Sequence, residues 1–255
     1  MRHFGLIGHP IGHSLSPKLF RAGYPGSEDT YSLIETDSFE EAISVFRRKY
    51  DAINVTAPFK ADAFLCADTA DEAAGLLKAT NLLVKEGAEI RAYNTDFTAA
   101  RNLLEKVSGT FSHRLPEVLI TGCGGAGKSA ALASVKLGLP TKVANRDFGK
   151  VKAFCNAIGN AEPLHLDSEE LSACSFDILI HTLSVVTEGI LNLNLKGRIV
   201  IEANYRDPGL KAASSRCGSI YVPGTEWLVE QAAAGFLIMT GEHPDLQNLS
   251  KFRTQ

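Results

Sequence analysis

The stretch V-L-I-T-G-C-G-G-A-G-K-S, from Val118 to Ser129, decides how the rest of the chain is read. An apolar run (Val118, Leu119, Ile120) leads into Gly122, Gly124 and Gly127, and a run of small residues follows. Strand, glycine turn and helix together make a phosphate cradle. Glycines let the backbone approach a pyrophosphate, and the helix N-terminus presents free N–H groups at the positive end of its dipole. Gly122, Gly124, Gly125, Ala126 and Gly127 are the candidate cofactor contacts.

Two motifs share these residues. Gly122, Gly124 and Gly127 fit G-x-G-x-x-G, the dinucleotide fingerprint; Gly122, Gly127, Lys128 and Ser129 fit G-x-x-x-x-G-K-S, the P-loop. The first implies hydride transfer and the second phosphoryl transfer. A P-loop enzyme needs an acid at the end of a later apolar strand to hold magnesium. In D-I-L-I-H-T the acid, Asp177, stands at the wrong end, whereas I-V-I-E does end in Glu202, so a small-molecule kinase stays open. A dinucleotide domain expects a ribose-recognising residue about 20 positions after the turn. Asn145 and Arg146 stand there, and an arginine points to a 2′-phosphate, hence NADP. Asp147 beside it keeps NAD possible.

Composition fits a globular enzyme. The 255 residues are 45% hydrophobic and 22% charged, enough for two modest domains. A net charge of −3, with no basic stripe, argues against nucleic acid as a partner. Phe4 to Gly8 reads as a strand and not as the apolar core of a signal peptide. No stretch approaches the roughly 18 apolar residues of a membrane span. The five cysteines are widely spaced without C-x-x-C, which suits reduced thiols and a cytoplasmic protein. His9 and His13 have no partner cluster, so no metal site is expected.

Periodicity predicts alternating strands and helices, hence a parallel sheet covered on both faces. In the first part, strands are expected at Phe4–Ile7, Tyr31–Ile34, Ala52–Val55, Asn81–Val84 and Glu89–Tyr93. A capping box, Ser38 to Glu41, starts a helix with Phe39, Ile43, Val45, Phe46 and Tyr50 inward. A further helix is expected over Thr98–Lys106, with Asp96 as a possible N-cap. After the glycine turn, strands are expected at Lys142–Ala144, Asp177–Ile180, Ile199–Ala203 and Ser219–Val222. Helices are expected at Phe148–Ile158 and Glu226–Met239. The expected organisation is an α/β substrate domain over 1–97, completed by helices in 224–255, and a Rossmann dinucleotide-binding domain over 98–223.

Three loops carry polar residues after apolar strands, where open α/β sheets place their sites. They are G-H-P-I-G-H-S-L-S-P (Gly8 to Pro17), N-V-T-A-P-F-K (Asn54 to Lys60) and N-T-D (Asn94 to Asp96). Reducing a ketone by hydride needs a proton donor near the developing alkoxide, and a lysine with an aspartate in one cleft can supply it. Lys60 and Asp96 are the candidates.

With G-C-G-G-A-G, N-R and L-V-E-Q-A, these loops resemble those of the shikimate dehydrogenase family, in order along the whole chain. The resemblance implies NADP-dependent interconversion of 3-dehydroshikimate and shikimate, in the route to chorismate and the aromatic amino acids. It implies Lys60 as acid/base and Asp96 as its partner, both touching substrate hydroxyls. Ser14 and Ser16 would take the substrate carboxylate. Thr56, Asn81, Tyr205 and Gln231 would complete the substrate site, and Gly224 the cofactor site. A quinate/shikimate dehydrogenase using NAD, or a ligand sensor that has lost catalysis, are the alternatives, in a monomer or a homodimer. The chain departs from the family pattern at K-L-F-R after H-S-L-S-P and at F-T-A-A after N-T-D. It also departs at A-T-N-L around Asn81 and at I-H-T-L-S (Ile180 to Ser184) beside the expected nicotinamide position.

Overall fold

The computed structural model describes residues 1–253. The first elements are β1 (His3–Gly8), α1 (Ser16–Gly23), β2 (Thr30–Glu35), α2 (Phe39–Lys49), β3 (Ala52–Val55), α3 (Lys60–Leu65), β4 (Thr69–Ala70), α4 (Glu72–Leu77), β5 (Leu82–Glu86), β6 (Glu89–Tyr93) and α5 (Thr95–Ser108). Then come β7 (Val118–Thr121), α6 (Gly125–Lys136), β8 (Thr141–Asn145), α7 (Phe148–Ile158), β9 (Ala161–His165), α8 (Glu169–Ala173), β10 (Ile178–His181), α9 (Glu188–Leu191), β11 (Ile199–Glu202), α10 (Lys211–Cys217), β12 (Ile220–Val222), α11 (Gly224–Thr240) and α12 (Leu246–Ser250). Contacts divide the chain into two units: Met1–Thr95 with the chain from Val229 onward, and Asp96–Leu228. Both divisions fall inside helices, α5 and α11.

The first unit holds a six-stranded sheet in the order β2-β1-β3-β5-β6-β4. The expectation of a parallel sheet needs correction here, because β5 runs antiparallel to both β3 and β6. The cause is local: Gly87, at φ +67°, turns the chain straight back after β5, and a short hairpin can only pair antiparallel strands. β3 (A-I-N-V) is buried along its whole length. Ile7, Phe46, Ile53, Val55, Phe59, Leu83 and Ala92 form the core on one face. In α2, Phe46 and Ala42 are buried, while Phe39, Ile43 and Tyr50 pack against them half-buried. Only half of the capping box forms. Ser38 Oγ accepts from Glu41 N, but the Glu41 carboxylate takes the Thr36 hydroxyl at 2.8 Å.

α5 begins at Thr95, three residues before the expected start. The Thr95 N–H, an orphan donor of the first turn, is satisfied by Asn81 Oδ1 at 2.7 Å. Because the helix starts at Thr95, Asp96 lies inside its first turn and not ahead of it.

The second unit holds six parallel strands in the order β12-β11-β10-β7-β8-β9. Counted from β7, this is the 3-2-1-4-5-6 order of the doubly wound dinucleotide fold. β7, β10 and β11 are buried throughout, as strands covered on both faces must be. β9, absent from the sequence reading, contains Pro163 and lies at the sheet edge, where a missing N–H costs no ladder bond.

Candidate active site

In the first unit, one end of the sheet gathers the polar loops. β1 and β3 run parallel and end there, so 9–16 and 56–60 emerge side by side. Their backbones are tied: His9 N donates to Ala57 O and Thr56 N to Ile7 O. A side chain at Gly8 would collide with Thr56 and Ala57, so glycine is needed for this approach. β5 starts and β6 ends at the same edge, placing Asn81 and Thr95 beside β3. Asn81 Nδ2 donates to Thr95 Oγ1 at 2.9 Å, and Thr80 N donates to Lys60 O at 2.9 Å. Lys60 opens α3, half-buried, one backbone bond from the residue preceding Asn81.

Ser14 and Ser16 form a pair. Ser14 Oγ accepts the Ser16 N–H at 3.2 Å and donates to Ser16 Oγ at 3.1 Å. Gln231 lies on α11 one turn before Gly235, whose Cα side faces Asn54 and Thr95. Residues four apart share a helix face, so Gln231 stands on the face that meets the Asn81–Thr95 edge. The structure thus brings Ser14, Ser16, Thr56, Lys60, Asn81 and Gln231 to one side of the first unit. His9 and His13 are exposed, and His9 lies 3.8 Å from Glu35.

In the second unit, the glycine turn lies at the carboxyl end of β7, where the strand order reverses between β7 and β10. Such a switch point is where open α/β sheets bind ligands. Each glycine has a separate physical reason. Gly122 has φ +107°, and a side chain there would meet Thr182 Oγ1 at 2.5 Å and Leu183 at 3.0 Å. Gly127 packs against the Gly122 carbonyl with no room for a Cβ. Gly124 has nothing within 4 Å of where a Cβ would stand. The open strip Gly124, Gly125 and Ala126 begins α6, whose first-turn N–H groups face outward along the axis. A pyrophosphate fits this cradle: two glycines serve packing and the third leaves space.

The P-loop expectation does not match this geometry. α6 starts at Gly125, ahead of the lysine, and the Lys128 ammonium lies 5.3 Å over the Phe154 ring. Glu202, the candidate magnesium ligand, is buried and already occupied. It accepts from Gly209 N, Leu210 N and the Tyr221 hydroxyl, at 2.7 Å for the first and last.

Asn145 ends β8 and Arg146 is exposed after it. The Asp147 carboxylate caps α7, accepting Lys150 N at 2.9 Å. The cations Arg146 and Lys150 therefore flank a carboxylate that is turned into a helix end. Tyr205 is half-buried, and burial pushes its hydroxyl pKa up. Gly224 packs on the backbone of 203–205, where a Cβ would stand 2.7 Å from Tyr205 N. This close approach gives Gly224 a packing role and brings α11 onto the Tyr205 loop.

Asp96 is buried in the first turn of α5, and Trp227 Nε1 approaches its Oδ1 at 3.5 Å. A carboxylate there is favoured by the helix dipole. The segment Ile180–Ser184 carries His181, whose role the sequence did not suggest. Its Nδ1 lies 2.8 Å from Thr121 Oγ1, its Nε2 is buried without a hydrogen-bond partner, and burial lowers its pKa to about 4. Among the described residues, no group of three or more His, Cys, Asp or Glu could hold a metal ion. None of their helices is long and apolar enough to cross a membrane.

A doubly wound nucleotide-binding sheet, joined to a mixed α/β unit with its polar loops at one sheet end, defines a two-domain dinucleotide-binding α/β protein. Residues 6–83 match the family model of the shikimate dehydrogenase substrate binding domain. Shikimate dehydrogenase (NADP(+)) of Syntrophobacter fumaroxidans is 31% identical, over 91% of this chain and 84% of its own. That of Bacillus subtilis is 31% identical, over 96% and 94%. Among solved structures, shikimate 5-dehydrogenase of Thermus thermophilus, in complex with NADP(H) and shikimate, superposes with a TM-score of 0.83. It is 23% identical, covering 100% of this chain and 99% of its own. The chain belongs to the shikimate dehydrogenase family.

Proposed function

We propose that the protein is an NADP-linked shikimate dehydrogenase, interconverting 3-dehydroshikimate and shikimate. One observation carries the substrate side: Ser14, Ser16, Thr56, Lys60 and Asn81, from separate loops, converge at one end of the first sheet. Neutral hydroxyls and amides suit a hydroxylated ring acid, and one ammonium among them suits an oxygen that changes its protonation. NADP(H), when bound, supplies the hydride.

In this reading Lys60 delivers a proton to the ring oxygen during reduction and takes it back during oxidation. Asp96 orients the ammonium and the neighbouring substrate hydroxyl. Ser14 and Ser16 hold the carboxylate, while Thr56, Asn81, Gln231 and Tyr205 bind the remaining polar groups of the substrate. Gly124, Gly125 and Ala126 present backbone N–H groups to the pyrophosphate. Arg146 and Lys150 attract a 2′-phosphate, and the capping role of Asp147 leaves that carboxylate turned from a bare ribose. The substrate domain comprises the first 97 residues and the closing helices, and the dinucleotide domain the span between.

Absorbance at the reduced-nicotinamide band tests the proposal directly, with shikimate and quinate each assayed against NADP and NAD. Turnover with shikimate and NADP well above the other three combinations is expected. No turnover in any combination would leave a non-catalytic binding protein.

A further inference from the structure

Behind the glycine turn, three residues form a clasp at the carboxyl ends of β7 and β10. Thr121 and His181 stand opposite each other in the parallel register, both buried, and Thr121 Oγ1 lies 2.8 Å from His181 Nδ1. The Thr121 carbonyl, directly before Gly122, takes two donors from one residue. Thr182 N donates to it at 2.9 Å, and so does Thr182 Oγ1 at 2.9 Å. A carbonyl can only accept, so the hydroxyl proton of Thr182 is committed to this bond.

The same oxygen backs the turn. A Cβ on Gly122 would stand 2.5 Å from Thr182 Oγ1, and a Cβ on Gly127 2.9 Å from it. One hydroxyl therefore occupies the side-chain space of both glycines that close the turn. Leu183 covers Gly122 as well, 3.0 Å from the same point. Gly122, at φ +107°, needs the freedom that only glycine has, and glycine also has the most backbone freedom to lose. Thr182 restricts it from one side, and the bond from Gly122 N to Ala144 O at 2.8 Å restricts it from another. Thr182 lies within Ile180–Ser184, one of the segments where this chain departs from the family pattern.

Resting on the reading of this turn as the NADP cradle, we infer that Thr182 is a positioning residue for the cofactor. Its hydroxyl holds Gly122 and Gly127 in the shape that presents the N–H groups of Gly124, Gly125 and Ala126 to the pyrophosphate. Removing the hydroxyl acts unequally on folding and on binding. The Thr121 carbonyl keeps the Thr182 N–H, so no buried acceptor is orphaned and the fold loses little. The turn, however, loses its wall. A looser turn must be ordered when the cofactor binds, and that ordering is subtracted from affinity. A methyl group in place of the hydroxyl acts from the other side, crowding two glycines where no space is left.

Calorimetric NADP binding to Thr182→Ser, Thr182→Ala and Thr182→Val tests this, with shikimate and adenosine 2′-phosphate, which lacks the pyrophosphate, as reference ligands. Thr182→Ala and Thr182→Val are expected to raise Kd and KM for NADP about 5-fold or more, the worth of one net hydrogen bond. Thr182→Ser keeps the hydroxyl and should bind NADP within about twofold of wild type. Affinity for adenosine 2′-phosphate and for shikimate should stay unchanged in all three, whereas a general loss of structure would weaken every ligand together. Thr182→Ala adds no bulk and decides the matter if Thr182→Val does not fold. Wild-type NADP affinity in Thr182→Ala overturns the role of Thr182. So does a loss in Thr182→Ser as large as in Thr182→Ala, or an equal loss for NADP and adenosine 2′-phosphate. Wild-type NADP affinity in Gly124→Ala overturns the cradle itself and the inference with it.

Discussion

Gly127 lies so close beneath Gly122 that a methyl group on the first would overlap the carbonyl of the second. Three residues away, Gly124 faces open space. The two glycines answer different demands, and substitution separates them. Gly127→Ala forces a backbone atom to move and should cost about 1–3 kcal/mol of stability, visible as a lower melting temperature without any ligand. Gly124→Ala should melt within about 0.5 kcal/mol of wild type yet raise the KM for NADP about 10-fold or more. Wild-type NADP affinity in Gly124→Ala would remove that position from the cofactor site.

Lys60→Ala should lower kcat by about 10²–10⁴-fold, the usual range for a lost acid–base group, with melting and NADP binding retained. Asp96→Asn should reduce kcat in the same direction. Near-normal turnover in a folded Lys60→Ala enzyme would exclude the ammonium from proton transfer.

The α7 end offers a test of cofactor choice. Arg146→Ala should raise the KM for NADP about 10-fold or more, the loss of a charge-assisted hydrogen bond, and leave the weaker NAD reaction unchanged. Asp147→Ala should cost about 1 kcal/mol through the lost cap without altering the NADP to NAD ratio. An improved NAD reaction in Arg146→Ala alone would instead show that the arginine excludes NAD.

His181 makes stability depend on pH. Its pKa is about 4 in the fold against an ordinary 6.5. Between those values the unfolded chain binds the extra proton and the folded one does not. Stability is therefore fully present above pH 6.5 and falls as the pH drops towards 4, by about 3 kcal/mol at most. The depressed carboxylates Asp177 and Glu117 work in the same direction at lower pH. Denaturant melts of wild type and His181→Asn at pH 7 and pH 5 should show a smaller loss in the variant. Equal losses would mean that the imidazole does not titrate in this window.

What could be read along the chain was what local chemistry demands. Gly122, Gly124 and Gly127 announce a strand–turn–helix because only glycine allows that backbone, and the ordered loop motifs announced the family. The apolar runs located most of the strands, and Ser38 located its helix start. The mixed pairing of β5 and the edge strand β9 were not legible in the same way. The first depends on which neighbours a hairpin finds, and the second contains a proline that ordinarily argues against a strand.

Some assignments changed because one side chain can serve only certain partners at once. Asp147, beside Arg146, reads equally as a ribose acceptor until its carboxylate is seen capping α7. Glu202 reads as a metal ligand until three donors are found upon it. Asp96 reads as a cap until α5 is found to start at Thr95, which puts it inside the first turn.

The sequence by itself determined the glycine turn, the family and the set of polar loops, since each rests on residue types at short, fixed spacings. Tertiary structure alone decided which glycine leaves room for a ligand, where His181 is buried, and how Tyr31, Asn54, Asn81 and Thr95 join. Those four are spread over 65 positions of sequence, from 31 to 95. Only the packing of strands and helices brings hydroxyl and amide within hydrogen-bonding distance, and no local preference encodes that.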